Sequence, residues 1–143
     1  MSKPANPVET TDILQDQAMQ RSNTDNAPRS AIHQTLYSAD TFVQYDYLAG
    51  KNLPDITRPQ EGQINWLHFV GINDVALLKH ALEPYGIHEL VIEDILSRKQ
   101  RPKIEDYGSY VFTAAQVYHY TSTGKLHSDQ VYVIIGKDFV LSF

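Results

Sequence analysis

The stretch GIHELVIEDILSRKQRPKIEDYGSYVF, Gly86–Phe112, decides how this chain is read. It predicts a loop, a short acidic helix from about His88 to Ser97, a basic stop and the start of a strand. The acids Glu89, Glu93 and Asp94 fall in the first two helical turns, and the bases Arg98, Lys99 and Arg101 at or just past the end. Both placements suit the helix dipole. Pro102 confirms the stop. The remaining helical residues are largely apolar, so the carboxylates sit on an element that packs, as a hard cation requires of its ligands.

Working outward, Asn73 or Asp74 can cap an earlier helix in which Val75, Leu78, Leu82 and Tyr85 share one face. Pro84 spoils its last turn and Gly86 ends it. Before it, Phe42–Leu48 and Ile64–Val70 alternate as strands, the second apolar on both faces and therefore central. Gly50 to Gly62 reads as a loop. After Tyr107 the pattern returns to period two, with strands expected over Tyr110–Tyr120, Gln130–Ile135 and Phe139–Phe143. The order β-β-α-α-β-β-β predicts an α/β fold, a layered domain with a mixed β-sheet and helices packed on it. Residues 1–30 are polar and poor in aromatics, the composition of a disordered tail. The domain proper is expected over 31–143. It ends inside an apolar run, so the chain is expected to be a piece of a longer polypeptide.

The 143 residues suffice for one domain with a modest core. Net charge is −5 and the pI about 5.6, which argues against nucleic acid as a partner. The absence of cysteine excludes disulfides, thiolate zinc sites and cysteine nucleophiles, and makes the cytoplasm the default compartment. No stretch approaches the roughly 20 apolar residues of a membrane helix.

Glu93 and Asp94 are adjacent, so their side chains diverge by about a hundred degrees around the helix. They suit two neighbouring ions, or one ion shared with another chain. Magnesium keeps much of its water and needs few protein carboxylates. The plain alternative, which outweighs this on residue types alone, is a solvated Glu89–Glu93 ridge with Asp94 paired to Arg98 at i, i+4. Glu105 and Asp106 read as a solvated turn. The six histidines, His33, His68, His80, His88, His119 and His127, show no zinc-ligand spacing along the chain. His68 is expected in the interior, and His88 at a helix start, where its side chain can orient the loop. No phosphate loop or serine-nucleophile motif is present, so no enzyme constellation emerges.

From Ile64 to Phe143 the segments INWLHFVGIND, YGIHELVIEDIL, QRPKIEDYGSYVF and QVYVIIGKDFVLSF resemble, in order and spacing, the N-terminal cytoplasmic domain of CorA-type magnesium/cobalt transporters. That resemblance implies a cytoplasmic domain of a homopentamer of identical subunits in the inner or plasma membrane. Magnesium bound between neighbouring subunits holds the closed state, with cobalt a possible substitute. By resemblance Asp94 ligates an interfacial ion and Glu93 belongs to a second site nearby. Partner acids are implied on a long helix following the sheet. Glu89 stands where the family often has proline. The two C-terminal membrane helices and the Gly-Met-Asn signature are absent from this sequence, so contact with the membrane is expected only through such helices. The expected function is therefore a cytoplasmic metal-sensing domain. A zinc-transporting member of the superfamily and a stand-alone protein-interaction module are the alternatives, and a small hydrolase has no residues to support it.

Overall fold

The computed structural model describes residues 30–48 and 54–143. The expected tail lies outside these residues except for Ser30, which is buried and donates its hydroxyl to the Gly71 carbonyl. The elements are β1 (Ala31–Tyr37), β2 (Phe42–Leu48), β3 (Ile64–Val70), α1 (Val75–Leu82), α2 (Glu89–Ser97), β4 (Lys103–Asp106), β5 (Tyr110–Tyr120), β6 (Leu126–Gly136) and β7 (Phe139–Ser142). They form an α/β domain on one seven-stranded sheet in the order β2-β1-β3-β7-β6-β5-β4. Only the β3–β7 pair is parallel, which makes the sheet mixed as expected.

Two of these strands were not expected, and each breaks the usual pattern. In β1 the inward positions are Ile32, Gln34 and Leu36, so a polar residue interrupts the apolar stripe. Gln34 is tolerated there because its amide donates to the Thr57 carbonyl (2.7 Å) and to Asn65 Oδ1 (2.9 Å), while its oxygen accepts from Tyr47 OH (2.9 Å). The edge strand β4 has only four residues and turns Lys103 and Glu105 toward the helices, with Ile104 facing solvent. Inward charges on a short edge strand are a common protection against edge-to-edge pairing.

Both helices pack on one face. Leu77, Leu78, Ala81 and Leu82 of α1 and Val91 and Ile95 of α2 join Ile32, Leu67, Phe69, Phe112, Ile134 and Leu141 of the sheet in one core. Burying each large aliphatic side chain contributes roughly 1.5–3 kcal/mol. The Asp74 carboxylate caps α1 by accepting from the Leu77 N–H (3.0 Å). The chain then tightens into a short 3-10 turn, Glu83–Tyr85, and Gly86 leaves it at φ 60°. At the end of β6 a Cβ on Gly136 would lie 2.1 Å from the Phe139 ring, so a larger residue there would have to displace that ring.

The opposite face of the sheet is open to solvent at Trp66, His68, Val117 and Ile135. His68 is thus not the interior residue expected for it. Strand alternation sends Leu67 and Phe69 to the core and His68 outward, where its Nδ1 lies 2.9 Å from Ser142 Oγ. Partial burial, followed by the nearby His33, lowers the His68 pKa below the usual histidine range.

Candidate functional site

The geometry of α2 fixes how its carboxylates can act. His88 caps the helix: its Nδ1 accepts from the Leu90 N–H (3.2 Å), while its own backbone N–H donates to Tyr110 OH (3.0 Å). Val91 and Ile95 face the core. That rotation leaves Glu93 exposed and places Asp94 half-buried beside β4. The two adjacent acids therefore point to different environments.

Both oxygens of Asp94 have partners. Lys103 Nζ donates to Oδ2 at 2.7 Å and Gln100 Nε2 to Oδ1 at 2.8 Å. Lys103 also lies 3.0 Å from Glu105 Oε2, so one ammonium bridges two carboxylates. The hydrogen bond to Asp94 holds Lys103 above the ordinary lysine range against the opposing effect of burial, and Glu105 adds to it. The expected Asp94–Arg98 pair does not form. Arg98 is left-handed at φ 53° and ends α2, and its Nη2 donates instead to Asn73 Oδ1 (2.9 Å). Helical i, i+4 spacing fails there because Arg98 has already left the helix.

Gln100 ties this cluster to the sheet. Its backbone N–H donates to Gln130 Oε1 (3.1 Å), its carbonyl accepts from Gln130 Nε2, and Tyr132 OH donates to the same Gln130 oxygen (2.7 Å). Lys103, Gln100 and Gln130 were not singled out in the sequence, and Glu105, expected with Asp106 in a solvated turn, lies instead on β4 with its carboxylate on Lys103. The alternating Lys103-Ile104-Glu105 was the available signal, since it places two opposite charges on one side of a strand.

Among the described residues, no three histidine or acidic side chains are placed so that they could together hold a metal ion. Asp94 is thus a pre-oriented carboxylate now neutralised by an internal cation, with the exposed Glu93 beside it on the helix. A groove of about 700 Å³ elsewhere is lined by Asp55, Arg58, His80, Glu83, Tyr85 and Asp138, among others. It overlies the Gln34–Asn65–Tyr85 hydrogen-bond network, in which burial pushes the Tyr85 phenol up to about 12.

The fold and this cluster define an α/β domain whose polar feature is a held carboxylate on a packed helix. It is similar to CorA and to other proteins of known sequence and structure. The chain is 39% identical over 79 residues to the cobalt/magnesium transport protein CorA of Thermotoga maritima, covering 54% of this chain and 22% of that protein. It is 34% identical over 107 residues to YfjQ of Bacillus subtilis, covering 72% of this chain and 31% of that protein. Among solved structures it matches the soluble domain of CorA from Methanocaldococcus jannaschii, with a TM-score of 0.53 and 11% identity, over 78% of this chain and 39% of that one. It also matches the full-length CmaX protein, with a TM-score of 0.52 and 16% identity, over 83% of this chain and 36% of that one. No family model matches the chain. The chain thus resembles CorA in sequence, and its fold is like that of the CorA soluble domain. It spans between a fifth and a third of the length of the curated relatives it matches. No helix among the described residues is long and apolar enough to cross a membrane.

Proposed function

We propose that this chain is the cytoplasmic regulatory domain of a CorA-type magnesium/cobalt transporter, working by metal binding rather than catalysis. Asp94 binds a regulatory Mg2+ at an interface between identical subunits, and Glu93 serves a second position beside it. Cobalt is a possible substitute for magnesium, and a pentamer is the assembly that the family resemblance implies. The observation that carries the reading is the state of Asp94. It is rigidly oriented by Gln100 and Lys103, yet its side chain keeps 23% of its exposure. An ion approaching from a neighbouring subunit can reach it.

The mechanism is electrostatic. Acidic surfaces of neighbouring subunits repel until a divalent ion bridges them, and losing the ion frees the subunits to move. The ion shifts the equilibrium only because it binds the closed arrangement better than the open one. In this chain the ion also competes with Lys103, so binding requires the ammonium to move off Oδ2. Asp94→Ala in the full-length transporter should raise the magnesium concentration that closes the pore. An unchanged closing concentration would remove Asp94 from the sensor.

A second reading is favoured by one feature. The open sheet face carries exposed Trp66, Val117 and Ile135, a surface suited to docking on another polypeptide. Under that reading the chain is an interaction module and its acidic helix is merely solvated. A zinc-transporting assembly would keep the same domain and change only the ion.

A further inference from the structure

We propose that the free end of the β5–β6 hairpin is a binding site for a borderline divalent cation, zinc in the first instance, held by His119, His127 and Asp129. The register places His119 directly opposite His127, and Asp129 opposite Val117. Alternation puts all three side chains on the same face of the sheet. They form a triangle, with two imidazoles across the ladder and a carboxylate one pleat further along.

The distances fit ligands better than they fit hydrogen bonds. His119 Nδ1 lies 3.5 Å from Asp129 Oδ2, and His127 Nε2 lies 4.0 Å from Asp129 Oδ1. Neither contact is a hydrogen bond at those lengths. Donor atoms on adjacent corners of a tetrahedral zinc site, with bonds near 2.0–2.1 Å, stand about 3.4 Å apart. The carboxylate thus presents one oxygen to each imidazole, at close to that spacing for His119 and beyond it for His127. The ring centroids are 5.5 Å apart and edge-on. As they stand the three groups do not make a metal-binding set; binding an ion requires rotation about their side-chain torsions. Those side chains are 48%, 62% and 58% exposed, so nothing packed against them resists the rotation.

A second histidine pair shows why the triangle matters. His33 and His68 are also directly opposite, with rings 6.2 Å apart, and Asp46 is also nearby. There, however, Asp46 and His68 flank His33 on opposite sides, in strands two spacings apart. Asp46 is already engaged at 2.6 Å from His33 Nδ1. That row is linear and cannot chelate. Two nitrogens and one carboxylate also set the class of ion, since magnesium prefers oxygen while zinc accepts imidazole. The site is chemically distinct from the Asp94 cluster and does not rest on the sensor reading.

The test is a titration of the tag-free 143-residue chain with Zn2+ alone, followed by calorimetry and by the imidazole resonances in NMR. One equivalent should bind, with the His119 and His127 rings shifting together and those of His33 and His68 unmoved. His127→Gln should weaken binding about tenfold or more, His33→Gln should leave it unchanged, and Mg2+ at the same concentration should not shift the tip. Zinc binding that survives His127→Gln, or shifts confined to other histidines, would overturn the proposal. So would the absence of any shift. The wild-type ring shifts decide the matter even if a variant misfolds.

Discussion

The α2–β4 junction and the β5–β6 tip contain the same kinds of group in opposite conditions. At the junction, Asp94 and Glu105 share the ammonium of Lys103 at 2.7 and 3.0 Å, and the helix beneath is anchored by fully buried Val91 and Ile95. At the tip, Asp129 and two imidazoles stand 3.5–4.0 Å apart on a strand end whose residues Gln116–Tyr120 are exposed throughout. Packing fixes the first carboxylate and supplies it with a cation. The second is left free. A regulated ion site profits from the former, because an incoming ion must displace something and its occupancy can therefore be tuned. An unopposed site responds to concentration alone.

The sharpest way to break this contrast is through the anchor. Ile95→Ala should cost about 2–5 kcal/mol of stability, because a fully buried side chain is replaced by a cavity. A shift in the urea unfolding midpoint measures it. A loss below about 1 kcal/mol would mean that α2 is not held by its core face.

Next comes the cation. Lys103→Met keeps the stem packed and removes the charge. The pair is partly exposed, so the stability cost should be only about 1 kcal/mol. Its larger effect falls on ligand binding, since Asp94 is then left without its ammonium and should take up a divalent ion more readily.

Alkaline pH offers a third handle. Hydrogen bonding to Asp94 raises the Lys103 pKa, and burial raises that of Tyr85 to about 12. As pH climbs past about 10 the unfolded chain gives up these protons before the folded one does. The stability they confer is therefore complete at neutral pH and is lost as pH rises from about 10 toward 12. Unfolding midpoints measured at pH 8, 10 and 11 should fall, and less steeply in Lys103→Met. The smallest effect belongs to the tip: Tyr120→Ala, at a residue 75% exposed, should change stability by no more than about 0.5 kcal/mol.

What the sequence made legible follows the same division. Strands Phe42–Leu48, Ile64–Val70 and Tyr110–Tyr120, the Asp74 cap and the acidic helix all follow from regular periodicity and capping chemistry. β1 was missed because Gln34 sits where an apolar residue was expected, and its three hydrogen-bond partners come from elsewhere in the fold. β4 was missed because its charges face inward. At the candidate site the place of Asp94 on the acidic helix was legible from the residues around it. Its partner was not, because Lys103 follows nine residues later, across a left-handed helix end and a proline. The tip histidines did not stand out because they show no zinc-ligand spacing along the chain. Their proximity comes from hairpin register, which a turn sets and a linear motif does not encode.

The central claim is that Asp94 responds to a divalent ion and that Lys103 opposes it. The most direct measurement is the magnesium concentration that protects the transporter proposed above from limited proteolysis, compared among wild type, Asp94→Ala and Lys103→Met. The account predicts shifts in opposite directions, upward for Asp94→Ala and downward for Lys103→Met. A common protecting concentration in all three proteins would contradict it.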